Sequence, residues 1–275
     1  MVLDSGYKWI FVGGRSEAGK STIAASIAFQ LSKIKNRVLL ISLDPTESLN
    51  AIFKAKFNDL PKHIPGSKTL WVMYSHFKYN SPIGEIETSA LANIFANIMI
   101  DEFDVVVFDM YSIKSTVSLF EITLKSAARL NSLSIESIIS LFESFIFDTR
   151  KITSLLRQTT KRLKNNKETA FVICLHPNYW PLLDTENLYQ YLIEEKISIP
   201  YMIINKIYEK DESCCKRCIW FSSRQQDFIK NIYELYQDLE IVKIPVLYEE
   251  IAGTDSLQNI IGYLQPLFSS ITQYN

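Results

Sequence analysis

The sequence predicts an α/β protein with a doubly wound, mostly parallel sheet and a helical insertion. Three observations support this fold class: short apolar runs of strand length recur along the chain, segments of helix length separate them, and glycines cluster at the first turn. The chain has only 8 glycines, and Gly13, Gly14 and Gly19 lie between the first predicted strand and the first predicted helix. In such sheets, ligands bind at the carboxyl ends of the strands.

The predicted strands are apolar runs with few charges, which is typical of parallel strands covered by helices on both faces. They span 8–12, 37–42, 70–74, 104–109, 170–175, 201–205 and 240–245. Segment 20–35 has Ile23, Ile27, Leu31 and Ile34 at helical spacing, which predicts an amphipathic helix. A strand, a glycine turn, a helix and a second strand form a βαβ unit, and the same alternation continues along the chain.

Two segments interrupt the alternation within what we interpret as one domain over 1–275. Segment 113–167 has no convincing strand and predicts a helical insertion, and 53–101 predicts a loop or strand followed by one helix. Within the insertion 113–167, positions 133–147 carry more apolar residues than one narrow helix stripe needs, including Ile138 and Phe142. This crowding has two interpretations: a helix packed in the core, or an exposed groove for a hydrophobic client.

Composition excludes several functional classes. The 275 residues carry a net charge of −1, which gives no general attraction to nucleic acid, so we expect no nucleic-acid partner. A hydrophobic content of 47% is too high for disorder, and no apolar run approaches the ~20 residues that span a bilayer. The first residues lack the pattern of a secretory signal, so we expect a soluble protein of the cytoplasm.

The strongest chemical signal is a match to G-x-x-x-x-G-K-[ST] after a predicted strand and before a predicted helix, the context of a P-loop NTPase fold. The residues predicted to bind phosphates are Gly14, Arg15, Ser16, Glu17, Ala18, Gly19, Lys20, Ser21 and Thr22. Backbone N–H groups would converge on the phosphate oxygens, Lys20 would reach the β- and γ-phosphates, and Ser21 would offer its hydroxyl to Mg²⁺. Thr22 would add a contact to the α-phosphate.

Two aspartates end neighbouring predicted strands beside this loop. Phosphoryl transfer needs a carboxylate on the metal side and a group that places the attacking water. Asp109 ends the run DVVVFD and suits a Mg²⁺ role through water, and Asp44 ends VLLISLD. Each aspartate has the alternative interpretation of a helix cap or a turn residue.

Cys215 and Cys218 have the C-x-x-C spacing of a zinc knuckle. One pair supplies two thiolates where a structural zinc needs four ligands, and a homodimer with two-fold symmetry would supply the other two. A redox dithiol or free thiols remain alternatives, and a role for the adjacent Cys214 stays open.

Several segments resemble the guided-entry targeting ATPases for tail-anchored membrane proteins, relatives of the arsenical pump ATPase. The resemblance is carried by KWIFVGGRSEAGKSTIAASIAFQL, VLLISLDPTESLNAIF, INKIYEKDESCCKRC and ELYQDLEIVKIPVLYEEIAG, and it covers most of the chain. It implies a cytosolic homodimer that uses ATP/ADP, Mg²⁺ and Zn²⁺. Such a protein captures the hydrophobic transmembrane segments of tail-anchored clients and delivers them to a receptor at the endoplasmic reticulum membrane.

The resemblance also implies roles for individual residues. Asp44 matches the first-switch aspartate that orients the attacking water, and Asp109 matches the second-switch aspartate. Arg15 stands where the family has a lysine that reaches the partner subunit's site, and its guanidinium keeps the charge. Cys215 and Cys218 match the pair that shares zinc between two chains.

For the nucleotide base, the resemblance assigns contacts at the carboxyl end of the sheet. Asn205 matches the family's adenine-contacting asparagine, and its amide can both donate and accept. The loop from Pro245 through Leu247 to Ala252 corresponds to the loop that packs against the base. Asn178 stands where the family has a glutamate that contacts the nucleotide across the dimer.

The chain departs from the family at the phosphate loop and the switches. Ser16 and Glu17 replace two glycines, and Glu17 adds a carboxylate near negatively charged phosphates. Segment 110–116, MYSIKST, lacks the family's proline, glycine and histidine, and Glu47 and Ser48 replace first-switch residues. These changes keep an alternative open: a chaperone or adaptor that binds nucleotide and zinc and hydrolyses weakly or not at all. A pump subunit stimulated by arsenite is disfavoured because such chains have two ATPase halves and dispersed cysteines.

Overall fold

The computed structural model of the protein describes residues 3–4, 6–75, 102–132, 149–209, 215–247 and 249–268. The strands of these residues are β1 (Trp9–Gly14), β2 (Val38–Ser42), β3 (Lys62–His63), β4 (Leu70–Tyr74), β5 (Val105–Asp109), β6 (Thr169–Leu175), β7 (Tyr201–Ile207) and β8 (Glu240–Pro245). They form one eight-stranded sheet in the order β3-β4-β2-β5-β1-β6-β7-β8. The described pairings are parallel except that of β3 with β4. The predicted α/β fold is therefore confirmed.

The helices of the described residues are α1 (Lys20–Leu31), α2 (Ser48–Phe53), α3 (Ile113–Ser132), α4 (Thr149–Leu163), α5 (Tyr179–Glu194), α6 (Lys216–Leu235) and α7 (Thr254–Ile261), with a 3₁₀ turn at Gln265–Leu267. All seven predicted strands are present, with ends shifted by at most two residues. Helix α2 was not predicted from the sequence, and β3 lies where a loop or strand was expected.

The prediction that the first helix extends to residue 35 is wrong, because α1 ends at Leu31. The Ser32 hydroxyl donates to the Phe29 carbonyl at 2.7 Å, and the Ile34 N–H bonds the Leu31 carbonyl three residues back. The chain thus tightens into a turn after α1. Ile34 is consequently 43% exposed and is not part of the buried face.

Side chains on the two faces of the sheet pack in two separate hydrophobic cores. Ile10 and Val12 point to the face covered by α1, α2 and α7. Phe11 points to the opposite face, which packs against α3, α5 and α6, and its ring stacks on Phe108 with centroids 4.5 Å apart. This alternation is the period of a strand covered on both sides. It fixes β1, and therefore the loop that follows β1, from both faces.

Helices α3 and α4 fall within the predicted insertion 113–167. Positions 133–147, the helix expected before residue 101, and Cys214 lie outside the described residues. The domain division and a client-binding role for the insertion therefore stay predictions. In the parts of the chain that the structure covers, no helix combines the length and apolar character needed to cross a membrane.

Candidate functional site

The loop between β1 and α1 requires glycine at two positions. Gly14 has φ 146°, and a Cβ there would lie 1.9 Å from the Cys174 carbonyl oxygen of β6. Gly19 has φ 86°, and its Cβ would lie 2.4 Å from Asn205 Nδ2 of β7. At both positions φ is positive and the backbone lies close to a neighbouring strand, so only glycine is accommodated. The glycines predicted from the motif therefore shape the loop itself.

Lys20 begins α1 and is 5% exposed. Its Nζ donates to the Arg15 carbonyl at 3.2 Å, so the ammonium lies within the loop. Gly19 directly precedes α1 at the N-cap position, and no side chain caps the N-terminus of this helix. The first N–H groups of α1 are therefore available to an anion, which the helix dipole also favours. Ser21 and Thr22 lie half-buried in the first turn of α1, as the motif predicts.

Asp109 ends β5 and is fully buried. The Ser42 hydroxyl donates to its Oδ2 at 2.8 Å, while Oδ1 has no hydrogen-bond partner among the described residues. Burial raises the pKa of Asp109 to about 6; the Ser21 and Ser42 hydroxyls and Lys20 oppose that rise. A carboxylate oxygen in need of a partner beside the Ser21 hydroxyl is the hard oxygen donor set that Mg²⁺ prefers. The residues present therefore fit a magnesium ion.

The raised pKa of Asp109 predicts a pH dependence of stability that Asp109→Asn removes. The folded chain holds this proton up to about pH 6, whereas the unfolded chain releases it near 3.8. As pH rises between these values, the free energy of unfolding of the nucleotide-free protein therefore falls relative to that of the variant, and the difference stays constant above about pH 7. Urea unfolding of both proteins from about pH 5 to about pH 8 measures it. A pH-independent difference would contradict the prediction.

Asp44 follows β2 and is half-buried. Its Oδ1 accepts the Thr46 N–H at 2.8 Å, and its own N–H donates to the Ser42 hydroxyl at 3.2 Å. The aspartate thus shapes the turn after β2, which is the alternative that the sequence left open. It also lies close enough to raise the pKa of Asp109. Asp44 therefore belongs to the same cluster, and its role toward water stays a prediction.

Arg15 and Asn178 line one cavity of about 450 Å³ beside the loop. Arg15 Nη1 lies 2.8 Å from Asp184 Oδ2 of α5, and the two side chains are 39% and 44% exposed. Glu17 and Trp220 also line this cavity, so its wall is both charged and aromatic. An ion pair at this exposure contributes little stability, so a competing anion can displace it. Contacts of Arg15 and Asn178 with a second copy stay predictions.

Asn205 reaches the loop from β7. Its Nδ2 donates to the Ala18 carbonyl at 2.8 Å, and its Oδ1 accepts the Lys206 N–H at 2.9 Å. An amide has a second N–H and a second lone pair, so Asn205 keeps capacity for a ligand. Pro245 pairs beside Ile207 at the end of β8, and Leu247 packs against the core on the α1 face. The predicted base-contacting residues thus lie on adjacent strand ends, and their contact with a base stays a prediction.

Cys215 and Cys218 lie at the start of α6 with their sulfurs 3.5 Å apart. Zinc bound tetrahedrally at about 2.3 Å brings two thiolates within about 3.8 Å of each other, so the pair fits two corners of such a site. The Cys218 N–H and side chain, with the Arg217 N–H, lower the pKa of the Cys215 thiol. No group of three or more metal-ligating side chains occurs in the part of the chain that the structure describes. A four-ligand site therefore needs further ligands.

Three residues around the loop were not identified from the sequence: Ser42, Asp184 and Lys206. Ser42 is a polar residue inside the apolar run VLLISLD, and that position could have indicated a partner for a buried carboxylate. Lys206 directly follows Asn205 at a predicted strand end, where ligand-facing residues concentrate. Asp184 lies on a helix far along the chain, and no local pattern distinguishes it from an ordinary surface carboxylate.

The chain is similar to known proteins over most of its length. The model of the anion-transporting ATPase family matches residues 7–80 and 77–265. The chain is 27% identical to the ATPase get3 of Schizosaccharomyces pombe over 293 residues, which cover 92% of this chain and 89% of the relative. It is 28% identical to the ATPase ASNA1 homolog of Dictyostelium discoideum, covering 91% and 87%, and 28% identical to the ATPase asna-1 of Caenorhabditis elegans, covering 90% and 89%. With the fold and the loop geometry, this match over most of its length makes the chain a member of the anion-transporting ATPase family.

Proposed function

We propose that the protein is an ATPase that, as a zinc-linked homodimer in the cytosol, captures tail-anchored membrane proteins and delivers them to a receptor at the endoplasmic reticulum. The observation that carries the proposal is the convergence of Lys20, Asp44 and Asp109 on the loop between β1 and α1. Relatives whose names describe them as ATPases support it over most of the chain. The kind of client and the membrane receptor are inferred from the resemblance of the sequence to the guided-entry targeting ATPases.

In this proposal, different residues act on binding and on hydrolysis. The Lys20 ammonium and the N–H groups of the loop hold the β- and γ-phosphates. Ser21, and Asp109 through water, would hold Mg²⁺, which would neutralise phosphate charge. Asp44 orients the water that attacks the γ-phosphorus, and Arg15 of one subunit reaches the partner's phosphates, where a guanidinium stabilises transferring charge. Arg15 must leave Asp184 to do so.

Client binding is proposed for positions 133–147, outside the described residues. A transmembrane client in the cytosol must be shielded by an apolar surface on the order of its own ~20-residue length. One short helix is too small for this, and two copies across a two-fold axis supply the area. Client capture thus depends on the same dimer as the shared zinc.

Charged replacements in this segment test the client function. Ile138→Glu and Phe142→Glu are expected to abolish capture of a tail-anchored substrate in a co-purification assay, because a charge in an apolar groove must be desolvated on binding. Dimer mass, zinc content and ATP binding should remain those of the unaltered protein. Leu60→Glu, at a loop residue that is 67% exposed, serves as the control. Unfolding of the first two variants would identify a packed core helix, and normal capture would place the groove elsewhere.

A second candidate function is a nucleotide- and zinc-binding adaptor with slow or no hydrolysis. The segment after Asp109 favours it: Met110 is 1% exposed, and its N–H donates to the Val12 carbonyl at 3.0 Å. The Ser112 hydroxyl then accepts the Ser115 N–H at 3.2 Å and caps α3. This connection is short and tied at both ends, which restricts the movement by which a switch senses the γ-phosphate.

A further inference from the structure

Two consecutive carbonyl groups of the phosphate loop are held from outside by side chains of the neighbouring strands. Lys206 Nζ donates to the Glu17 carbonyl at 2.7 Å. Asn205 Nδ2 and Cys174 Sγ donate to the Ala18 carbonyl at 2.8 and 3.1 Å. Burial raises the pKa of the Cys174 thiol to about 12, so it stays a neutral donor. The contact from Lys206 is charge-assisted, and such hydrogen bonds are the stronger kind.

Holding a carbonyl fixes the direction of the following N–H. In a planar trans peptide the C=O and the N–H point in opposite directions, so an outward Glu17 carbonyl turns the Ala18 N–H inward. The structure shows this arrangement: the Ala18 N–H and the Lys20 ammonium both point at the Arg15 carbonyl oxygen, at 3.4 and 3.2 Å. Two donors thus converge on one position inside the loop. Convergent donors of this kind bind anions.

The loop needs such support because Glu17 is not a glycine. Glu17 has φ 67°, a left-handed conformation that costs free energy for a residue with a Cβ. Without an external contact, the Glu17 peptide would exchange this conformation for less strained ones. Lys206 therefore holds the peptide between Glu17, whose backbone is strained, and Ala18, whose N–H points into the loop.

The position of Lys206 is itself built into the sheet. The register of β7 with β8 shifts between Ile204 and Ile207, and Lys206 within this irregularity has φ 60°. The buried Gln225 of α6 donates its Nε2 to the Lys206 carbonyl at 3.1 Å. A strained lysine persists where its surroundings fix it, and such residues cluster at functional sites.

We propose that Lys206 is a positioning residue for the phosphate loop: it holds the Glu17 carbonyl outward and so aims the Ala18 N–H at a bound phosphate. The inference rests on the proposed function, because it assumes that the loop binds nucleotide. It assigns Lys206 no contact with the phosphates. Its action passes through the backbone of Glu17.

The test compares two lysines with nearly the same backbone. Lys196 has φ 59° at the end of α5, away from the loop, and Lys206 has φ 60°. Glycine adopts this conformation without strain, so both Lys206→Gly and Lys196→Gly should fold at least as well as the unaltered protein. Calorimetric titration with ADP is expected to show about tenfold weaker binding for Lys206→Gly, the size of one hydrogen bond to a charged group, and no change for Lys196→Gly. Lys206→Arg should restore most of the affinity.

A double-mutant cycle with Glu17→Gly separates positioning from simple attraction between charges. Glycine at position 17 adopts φ 67° freely, so the loss caused by Lys206→Gly should shrink to about twofold or less in that background. A loss that stays tenfold would overturn the proposal, because Lys206 would then act by charge alone. Unaltered affinity in Lys206→Gly would also overturn it. Failure of the unaltered protein to bind ADP would overturn the proposed function, and this inference with it. Should Lys206→Gly not fold, Lys206→Met is subject to the same criteria.

Discussion

Asp44→Asn is expected to bind ATP as the unaltered protein does and to lose about a thousandfold in the rate of hydrolysis. The amide is isosteric with the carboxylate and still accepts the Thr46 N–H, so the turn after β2 is preserved. What is lost is the charge that orients and polarises the attacking water, an effect made in the transition state and worth about 10²–10⁴ in rate. Single-turnover hydrolysis and equilibrium binding, measured on the same preparation, separate the two quantities.

Lys20→Ala is the matched control for this variant, because it should fail at the other step. The buried ammonium would contact ground-state phosphate charge, so its removal should weaken ATP binding on the order of a hundredfold or more. Hydrolysis that survives in Asp44→Asn would show that the aspartate is only a turn residue. Unaltered protein that hydrolyses no faster than Asp44→Asn would favour the adaptor function.

Cys215→Ser is expected to release zinc and to dissociate the dimer. In the proposed assembly, four thiolates from two chains bind one zinc, and the variant leaves two, which should weaken zinc binding on the order of a thousandfold. Native mass measurement should give two chains and one zinc for the unaltered protein and single chains for the variant. Cys214→Ser, outside the C-x-x-C spacing, is the matched control and should keep both. A zinc-loaded single chain of the unaltered protein would contradict this arrangement.

The parts of the fold and site that could be predicted from the sequence are those with a local pattern. Each parallel strand is a continuous apolar run because both of its faces are covered, and the glycines of the loop are separated by a spacing that few other structures require. Strand ends then placed Asp109 and Asn205 near that loop, because parallel strands share one carboxyl edge. Their positions in the structure agree with this reasoning.

The remaining features depend on contacts between distant residues. Ile34 continues the helical spacing, yet the chain turns before it. Asp184 lies 2.8 Å from Arg15 only because α5 packs beside the loop. Lys206 reaches Glu17 through an irregularity in the pairing of β7 with β8. No window of the sequence contains both partners of these contacts, so periodicity and spacing could not indicate them.

Because β1 lies at the centre of the sheet, between β5 and β6, the anion site beside it can form only late in synthesis. Trp9 is synthesised well before both of its partners in the sheet, Val106 on one side and Thr169 on the other. Contacts between segments so far apart in the chain form late and slow folding. On a ribosome, the phosphate motif therefore emerges long before the strands that shape it, and its last support, Lys206, emerges later still. A nascent chain that ends before β7 thus contains every residue of the phosphate motif and still lacks an organised anion site. ATP can therefore stabilise the fold only after β7 has left the ribosome.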